Sequence, residues 1–199
     1  MPVRVVTPPA SEPVSIAEAC GALRIDGDEL NFEVERLISS ARRAIENEMA
    51  HALLEQTLEL VLDDFPVCGY AIVLPRATPL QSIVIVTYRD SDGTTHTMPE
   101  ADYIADTDSQ PGRLVLAYDA SWPSFTPYPT GAVRIQYICG APLTSPVEPF
   151  PANLKQAILL LVRDQLDHPG EGPGSAGYEA SLRRAMAHLV GGEQRVWAF

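Results

Sequence analysis

Over residues 31–49 the apolar side chains recur every three or four positions, at Val34, Leu37, Ile38, Ala41, Ile45 and Met49. That spacing is the stripe of an amphipathic helix, with Glu35, Arg36, Arg42, Arg43 and Glu46 expected to face away from it. After Ala52 the period drops to two: Leu58, Leu60 and Leu62 alternate with Thr57, Glu59, Val61 and Asp63, the pattern of a strand whose successive side chains point to opposite faces. From Leu154 the helical spacing returns through Ala157, Ile158, Leu161, Val162 and Gln165. A chain that changes period twice is neither a pure helix bundle nor a pure sandwich. The class is α+β: a helical unit, made of two long helices plus short ones, with an antiparallel β-sheet inserted in it.

Local signals place the joints. Ser15-Ile-Ala-Glu18 reads as a capping box opening a short helix through Leu23, and Asp26-Gly27-Asp28-Glu29 ends it. Further β-rich runs fall at 71–74 and 82–88. Asp90-Ser-Asp-Gly93 is a hairpin turn leading into 94–98, and Asp108-Ser-Gln-Pro-Gly112 joins 103–107 to 113–116. Residues 119–130 carry Trp122, Phe125 and Tyr128 among prolines, a packed loop before a last strand at 132–139. Pro151 marks a helix start and Pro169 its end, and this helix is able to pair with the first long one. A glycine-rich bridge at 170–177 precedes another amphipathic stretch at 178–190. The organisation expected is an N-terminal arm at 1–14, a helical unit from 15–50 and 151–190, an inserted β-rich region at 51–150, and a C-terminal docking tail at 191–199.

Composition narrows the function. The 18 prolines among 199 residues are nearly twice the usual share of roughly 5 %, and they cluster in arms and joints. The formal charge is −12, from 26 acids against 14 basic residues of which Lys155 is the single lysine. That balance repels phosphate backbones and offers no basic stripe for sequence-specific nucleic-acid binding. Cys20, Cys68 and Cys139 are odd in number, far apart, and without zinc spacing; we expect reduced core thiols. No apolar run approaches the ~20 residues of a membrane span, and the opening residues lack the apolar core of a signal peptide, so a soluble, unexported protein is expected.

Catalytic motifs fail one by one. The loop 170–177 has glycines but neither the Lys-Ser/Thr nor the preceding strand of a phosphate-binding loop. A nucleophile elbow centred on Ser175 would need glycine where Pro173 stands. A calcium loop ending its turn at Gly93 would start on Tyr88 and close on Pro99, neither of them a ligand. The acids Asp26, Asp28 and Glu29, the pair Asp63 and Asp64, and the pair Asp106 and Asp108 fit turns and solvated edges. His51, His96, His168 and His188 have no second ligand at metal spacing. No catalytic residue, cofactor or metal is expected, and a soluble enzyme or ligand-binding domain is the remote alternative. What remains is surface for protein partners: the proline-aromatic loop and the tail Glu193-Gln-Arg-Val-Trp-Ala-Phe199 after Gly191-Gly192. That tail is either an exposed docking element or a strap over its own helices.

Several segments together carry a family likeness: residues 13–26 (PVSIAEACGALRID), 56–66 (QTLELVLDDFP), Leu74-Pro75 with Pro79-Leu-Gln-Ser-Ile83, Asp102-Tyr103, Pro111-Gly-Arg113, Ile158-Leu-Leu-Leu-Val162 and Arg195-Val-Trp-Ala-Phe199. In their order and spacing the chain resembles the head-to-tail connector (adaptor, or head completion) family of tailed phages and gene transfer agents. The glycine- and proline-rich bridge at 170–177 departs from that pattern. The resemblance implies a virion structural protein, assembled in the host cytoplasm and sited in the neck of the particle. It implies a homo-oligomeric ring of twelve subunits that binds the portal protein, presents its far face to the next connector (stopper) or tail protein, and lets double-stranded DNA pass. On that reading Arg195, Val196, Trp197 and Phe199 are candidate portal-docking residues, aromatics and arginine being common hot spots. Asp26, Asp28 and Glu29 are candidate channel-lining acids. A stopper or tail-completion subunit is the alternative within the same particle; the long helices favour the adaptor.

Overall fold

The computed structural model describes residues 2–142, 150–168 and 175–185. By contact the chain divides into two compact units: Met1–Ala10 with His51–Pro142, and Ser11–Ala50 with Leu143–Phe199. The class is α+β, as the two periods require: four helices and two antiparallel sheets among the described residues.

In the helical unit, α1 (Ile16–Leu23) opens where the capping residue predicts, Ser15 Oγ accepting from the Glu18 amide at 3.1 Å. The Glu18 carboxylate lies 3.3 Å from Lys155 Nζ. Helix α2 (Asn31–Met49) buries Val34, Leu37, Ile38, Ala41, Ile45 and Met49, the stripe read from the sequence. Helix α3 (Ala152–Asp167) begins after Pro151 and buries Leu154, Ala157, Ile158, Leu161, Val162 and Gln165. It packs on α2, α1 and α4 (Ala176–Ala185). Helix α4 starts two residues before the predicted Tyr178, its first turn tied by the Tyr178 amide donating to Ser175 Oγ. The predicted continuation to Val190 lies outside the described residues.

Two residues of α2 contradict the expected polar face. Arg42 and Glu46, placed away from the stripe by their charge, are both buried, Arg42 to 3 %. Arg42 Nε donates to Glu12 Oε2 at 2.7 Å and its Nη1 to Glu46 Oε2 at 2.8 Å. The charges are tolerated inside because each has an opposite partner with hydrogen-bond geometry.

The β unit holds a five-stranded sheet, ordered β1-β2-β8-β4-β5, and a three-stranded sheet, ordered β3-β7-β6. Their strands are β1 (Val3–Thr7), β2 (Gln56–Leu62), β3 (Ala71–Val73), β4 (Leu80–Arg89), β5 (Thr95–Thr97), β6 (Tyr103–Asp106), β7 (Arg113–Leu116) and β8 (Val133–Cys139). Two features of this unit were not read from the sequence. The residues assigned to an N-terminal arm include β1, which pairs antiparallel with β2 at the sheet edge. Its sequence, Val3-Arg-Val-Val-Thr7, is rich in β-prone valine, but four of the five residues are exposed, so no buried face marks it out. The antiparallel β region holds two sheets, because the hairpin of β6 and β7 takes β3 as its neighbour. Alternation specifies the face of a strand but not its partner.

In the central register Leu58 faces Tyr137 and Leu60 faces Ile135, so Leu58, Leu60, Val133, Ile135, Tyr137 and Cys139 turn to one face. These join Ile72, Leu114 and Leu116 of the second sheet, and Leu74 just after β3, in one core. On the other face Glu59 is buried beneath a 2.6 Å ion pair with Arg4, a 3.2 Å pair with Arg134 and a 3.0 Å hydrogen bond from Gln136 Nε2. The proline-aromatic loop is packed as read: Trp122 stacks on Phe65 at 5.1 Å, Phe125 tilts on Tyr88 at 4.9 Å, and Trp122 Nε1 donates to Gly69 O at 3.0 Å. After β8, Gly140 takes φ +90°, and a Cβ there would stand 2.1 Å from Leu54 O.

Arg42→Ala removes the guanidinium between two carboxylates, and we expect urea unfolding to report a loss of about 3 kcal/mol or more. Gly140→Ala meets both a positive φ and a backbone oxygen; the expected loss is about 2 kcal/mol or more, read the same way.

Candidate functional site

The predicted acids Asp26, Asp28 and Glu29 lie together in the loop between α1 and α2, all exposed. Arg24, the left-handed C-cap of α1, turns the chain into this loop. Asn31, first residue of α2, anchors its far side: Asn31 Nδ2 donates to Asp28 Oδ1 at 2.9 Å and its amide to Asp28 O at 3.2 Å. The cluster is a solvated negative loop held at the start of a helix, suited to repelling an anion and not to gripping one. The predicted docking residues Arg195, Val196, Trp197 and Phe199 lie outside the described residues.

The other sequence candidates serve the fold. Asp63 Oδ1 accepts from the Gly131 amide at 2.7 Å and Asp64 Oδ1 from the Phe65 amide at 2.8 Å. Asp90 ties its own turn, accepting from the Asp92 and Thr94 amides and from His96 Nε2 at 2.7 Å. Asp106 accepts from Ser109 Oγ at 2.7 Å and pairs with Arg113 at 2.6 Å. The Ser109 hydroxyl and then the Arg113 guanidinium hold its carboxyl at about 2, below the usual 3.8. Of the three cysteines, Cys139 is buried as expected; Cys68 is exposed and Cys20 half-buried, so neither is a core thiol. Cys68 stands in a loop after β2 and Cys20 on the half-exposed flank of α1. Among the described residues no group of His, Cys, Asp and Glu is arranged to hold a metal ion. Nor is any described helix long and apolar enough to cross a membrane.

Two surfaces were not legible in the sequence. In the β unit, the outward face of the small sheet sets Ala71, Val115 and Ile104 in register across three strands, with Val73 two residues from Ala71 on the same face; Val73 and Ile104 are exposed. In the helical unit, a groove of about 860 Å³ runs between α2 and α4. Its floor is Ser39, Ser40 and Ala44, small side chains that let another group approach the helix backbone. Phe32, 81 % exposed, stands in it, and Tyr178 and Leu182 of α4 form the opposite wall. Arg36, Arg43 and Glu48 also line it. Burial pushes the Tyr178 hydroxyl up from its ordinary value, followed by the charges of Glu179 and Asp164. That hydroxyl has no hydrogen-bond partner among the described residues. The sequence signal for the groove was a second stripe on α2, at 32, 36, 39, 40, 43 and 47, masked by its polar and small composition.

No protein-family model and no curated protein sequence matches the chain. Solved structures do. The chain is similar to one from the neck of an empty gene transfer agent particle computed with C6 symmetry, with a TM-score of 0.71 and 21 % identity over 93 % of this chain and 95 % of that one. It is similar to a chain of the virion of a native gene transfer agent particle, at TM-score 0.69 and 22 % identity over 92 % and 94 %. A third, from the neck of a native particle computed with C12 symmetry, gives 0.65 and 21 % over 93 % and 94 %. The likeness covers both units and establishes a shared fold.

Asp106 gives a direct check of the electrostatics. A carboxyl depressed in the folded state contributes stability above its unfolded value, and that contribution fades as pH falls from near 4 through 2. We expect an NMR titration midpoint for Asp106 of about 2, moving upward in Ser109→Ala.

Proposed function

We propose that this protein is a structural, non-enzymatic ring subunit of a particle neck, the head-to-tail connector (adaptor) that seats on the portal. The observation that carries the proposal is the fold, shared over nearly the whole chain with chains of gene transfer agent necks and virions. The sequence resemblance supports the same family independently, through short segments at both ends and in the middle. The adaptor position is favoured by the helical unit, whose α2 and α3 run 19 and 16 residues.

In such a ring the partners are the portal protein on one side and the next connector or a tail protein on the other. Double-stranded DNA passes through the centre. Twelve copies at −12 each carry −144, and carboxylates on the channel wall would keep DNA sliding by repulsion, effective within roughly 8–10 Å at physiological salt. The exposed loop of Asp26, Asp28 and Glu29 is the candidate for that wall. Assembly in the host cytoplasm and residence in the virion neck follow from the same reading.

Light scattering coupled to size exclusion, on the protein alone and mixed with its portal, tests the proposal. With a 21.6 kDa chain, twelve copies make a ring of about 260 kDa and six about 130 kDa. A twelve-copy ring or portal-bound multimer is expected. A six-copy ring moves the protein to a six-fold storey of the neck, and a strict monomer under both conditions overturns the connector reading.

A further inference from the structure

One end of the small sheet exposes large apolar side chains that the core of the β unit does not use: Val67 is 97 % exposed, Tyr70 75 % and Tyr118 100 %. The register brings them together. Strands β3 and β7 pair Ala71 with Val115, and just beyond that ladder the Leu116 amide donates to Tyr70 O at 2.8 Å. The same pairing carried on by two residues sets Tyr118 diagonal to Tyr70, a separation of roughly 7–8 Å that aromatic side chains bridge. Val67 lies three residues before Tyr70 in the same loop. That loop is tied down, since Trp122 Nε1 donates to Gly69 O at 3.0 Å and the Trp122 ring stacks on Phe65. The three side chains are therefore held out on a built frame, which lowers the ordering cost of a partner that covers them.

The charge around them has one sign. The Ala117 amide donates to Asp102 O at 2.9 Å, which brings the turn at Glu100–Asp102 to the same end. Segments 64–72, 99–105 and 114–122, which converge there, hold Asp64, Glu100, Asp102 and Asp119 and no Lys, Arg or His. These four acids are a third of the chain's net charge of −12. Asp64, Glu100 and Asp119 are exposed and Asp102 half-buried. Exposed apolar side chains within a polar rim mark a surface that another protein covers, and the sign of the rim says which kind. We propose that this end of the small sheet docks a different protein, one whose contact area is apolar at its centre and carries Lys or Arg around it. A second copy meeting it face to face would set the same four acids against one another, and like charges across an interface cost affinity. Opposite a basic rim they attract, hasten encounter and fix orientation. The chemistry of this partner stands apart from the neck reading; on that reading it is the portal or the next connector.

Three dye-labelled synthetic peptides serve as probes of the full chain by fluorescence anisotropy: one of leucine and lysine, one of leucine and glutamate in the same apolar pattern, and one of serine and lysine. The leucine–lysine peptide is expected to bind about tenfold or more tighter than either control, and less tightly as salt rises. Tyr118→Ser, at a fully exposed position that removes no core contact, should weaken that binding by about tenfold. Asp119→Asn should weaken it several-fold; Asn suits the left-handed backbone there, φ +63°. Phe32→Ser, which removes an exposed aromatic of the helical unit, should leave it unchanged. The proposal is overturned if the leucine–lysine peptide fails to bind wild type, or if the leucine–glutamate peptide binds as tightly. Binding indifferent to Tyr118→Ser, or weakened as much by Phe32→Ser, also overturns it. So does a change in the mass of the protein alone in Tyr118→Ser, which would assign the surface to a second copy. None of these outcomes requires a ring to form, so failure of the neck reading shows separately in the light-scattering mass.

Discussion

Contacts between distant segments carry both units. Strand β8 lies between β2 and β4, and α3 returns to α2 after about a hundred intervening residues. Without β8 neither neighbouring strand has a partner on its inner side, and without α3 the stripe of Val34, Leu37, Ile38, Ala41, Ile45 and Met49 has no helix to bury it. The entropic cost of closing such long loops grows only slowly with length. It is the burial of complete apolar faces that holds them closed. Tyr137 shows the quality of the closure: its ring is in the core and its hydroxyl donates to Pro75 O at 2.5 Å, so even the polar atom inside is satisfied.

Charge plays a second structural part. Arg42 between Glu12 and Glu46, and Glu59 beneath Arg4, Arg134 and Gln136, are interior or half-interior networks that add little net stability against apolar substitutes. Their value lies in specificity. Each ties segments that could otherwise slip: Glu12 ahead of α1 to the middle of α2, and the edge strand β1 to β2 and β8. A register shift of one residue in β1 would carry Arg4 to the opposite face and leave Glu59 with one cation fewer.

The acidic loop at the start of α2, the exposed apolar side chains of the small sheet and the groove beside α4 are surfaces that the cores of the two units do not use. The fold is shared with chains of gene transfer agent neck and virion structures at about one identity in five. At that divergence the likeness speaks to architecture.

What the sequence determined by itself was local. The 3.6-residue and two-residue periods named the helices and most strands, and Ser15, Pro151 and the Asp90–Gly93 turn marked their ends, because caps, turns and periodicity depend on residues a few positions apart. The α+β class and the packed aromatic loop followed from these signals. Tertiary structure alone decided that Val3–Thr7 is a strand and that the β region is two sheets. It also decided that Arg42, Glu46 and Glu59 are interior, and that α2 and α4 enclose a groove. Most of those depend on a partner tens of residues away: the edge strand pairs with β2 some fifty residues on, Arg42 is buried against Glu12 as well as Glu46, and Glu59 against Arg4 and Arg134.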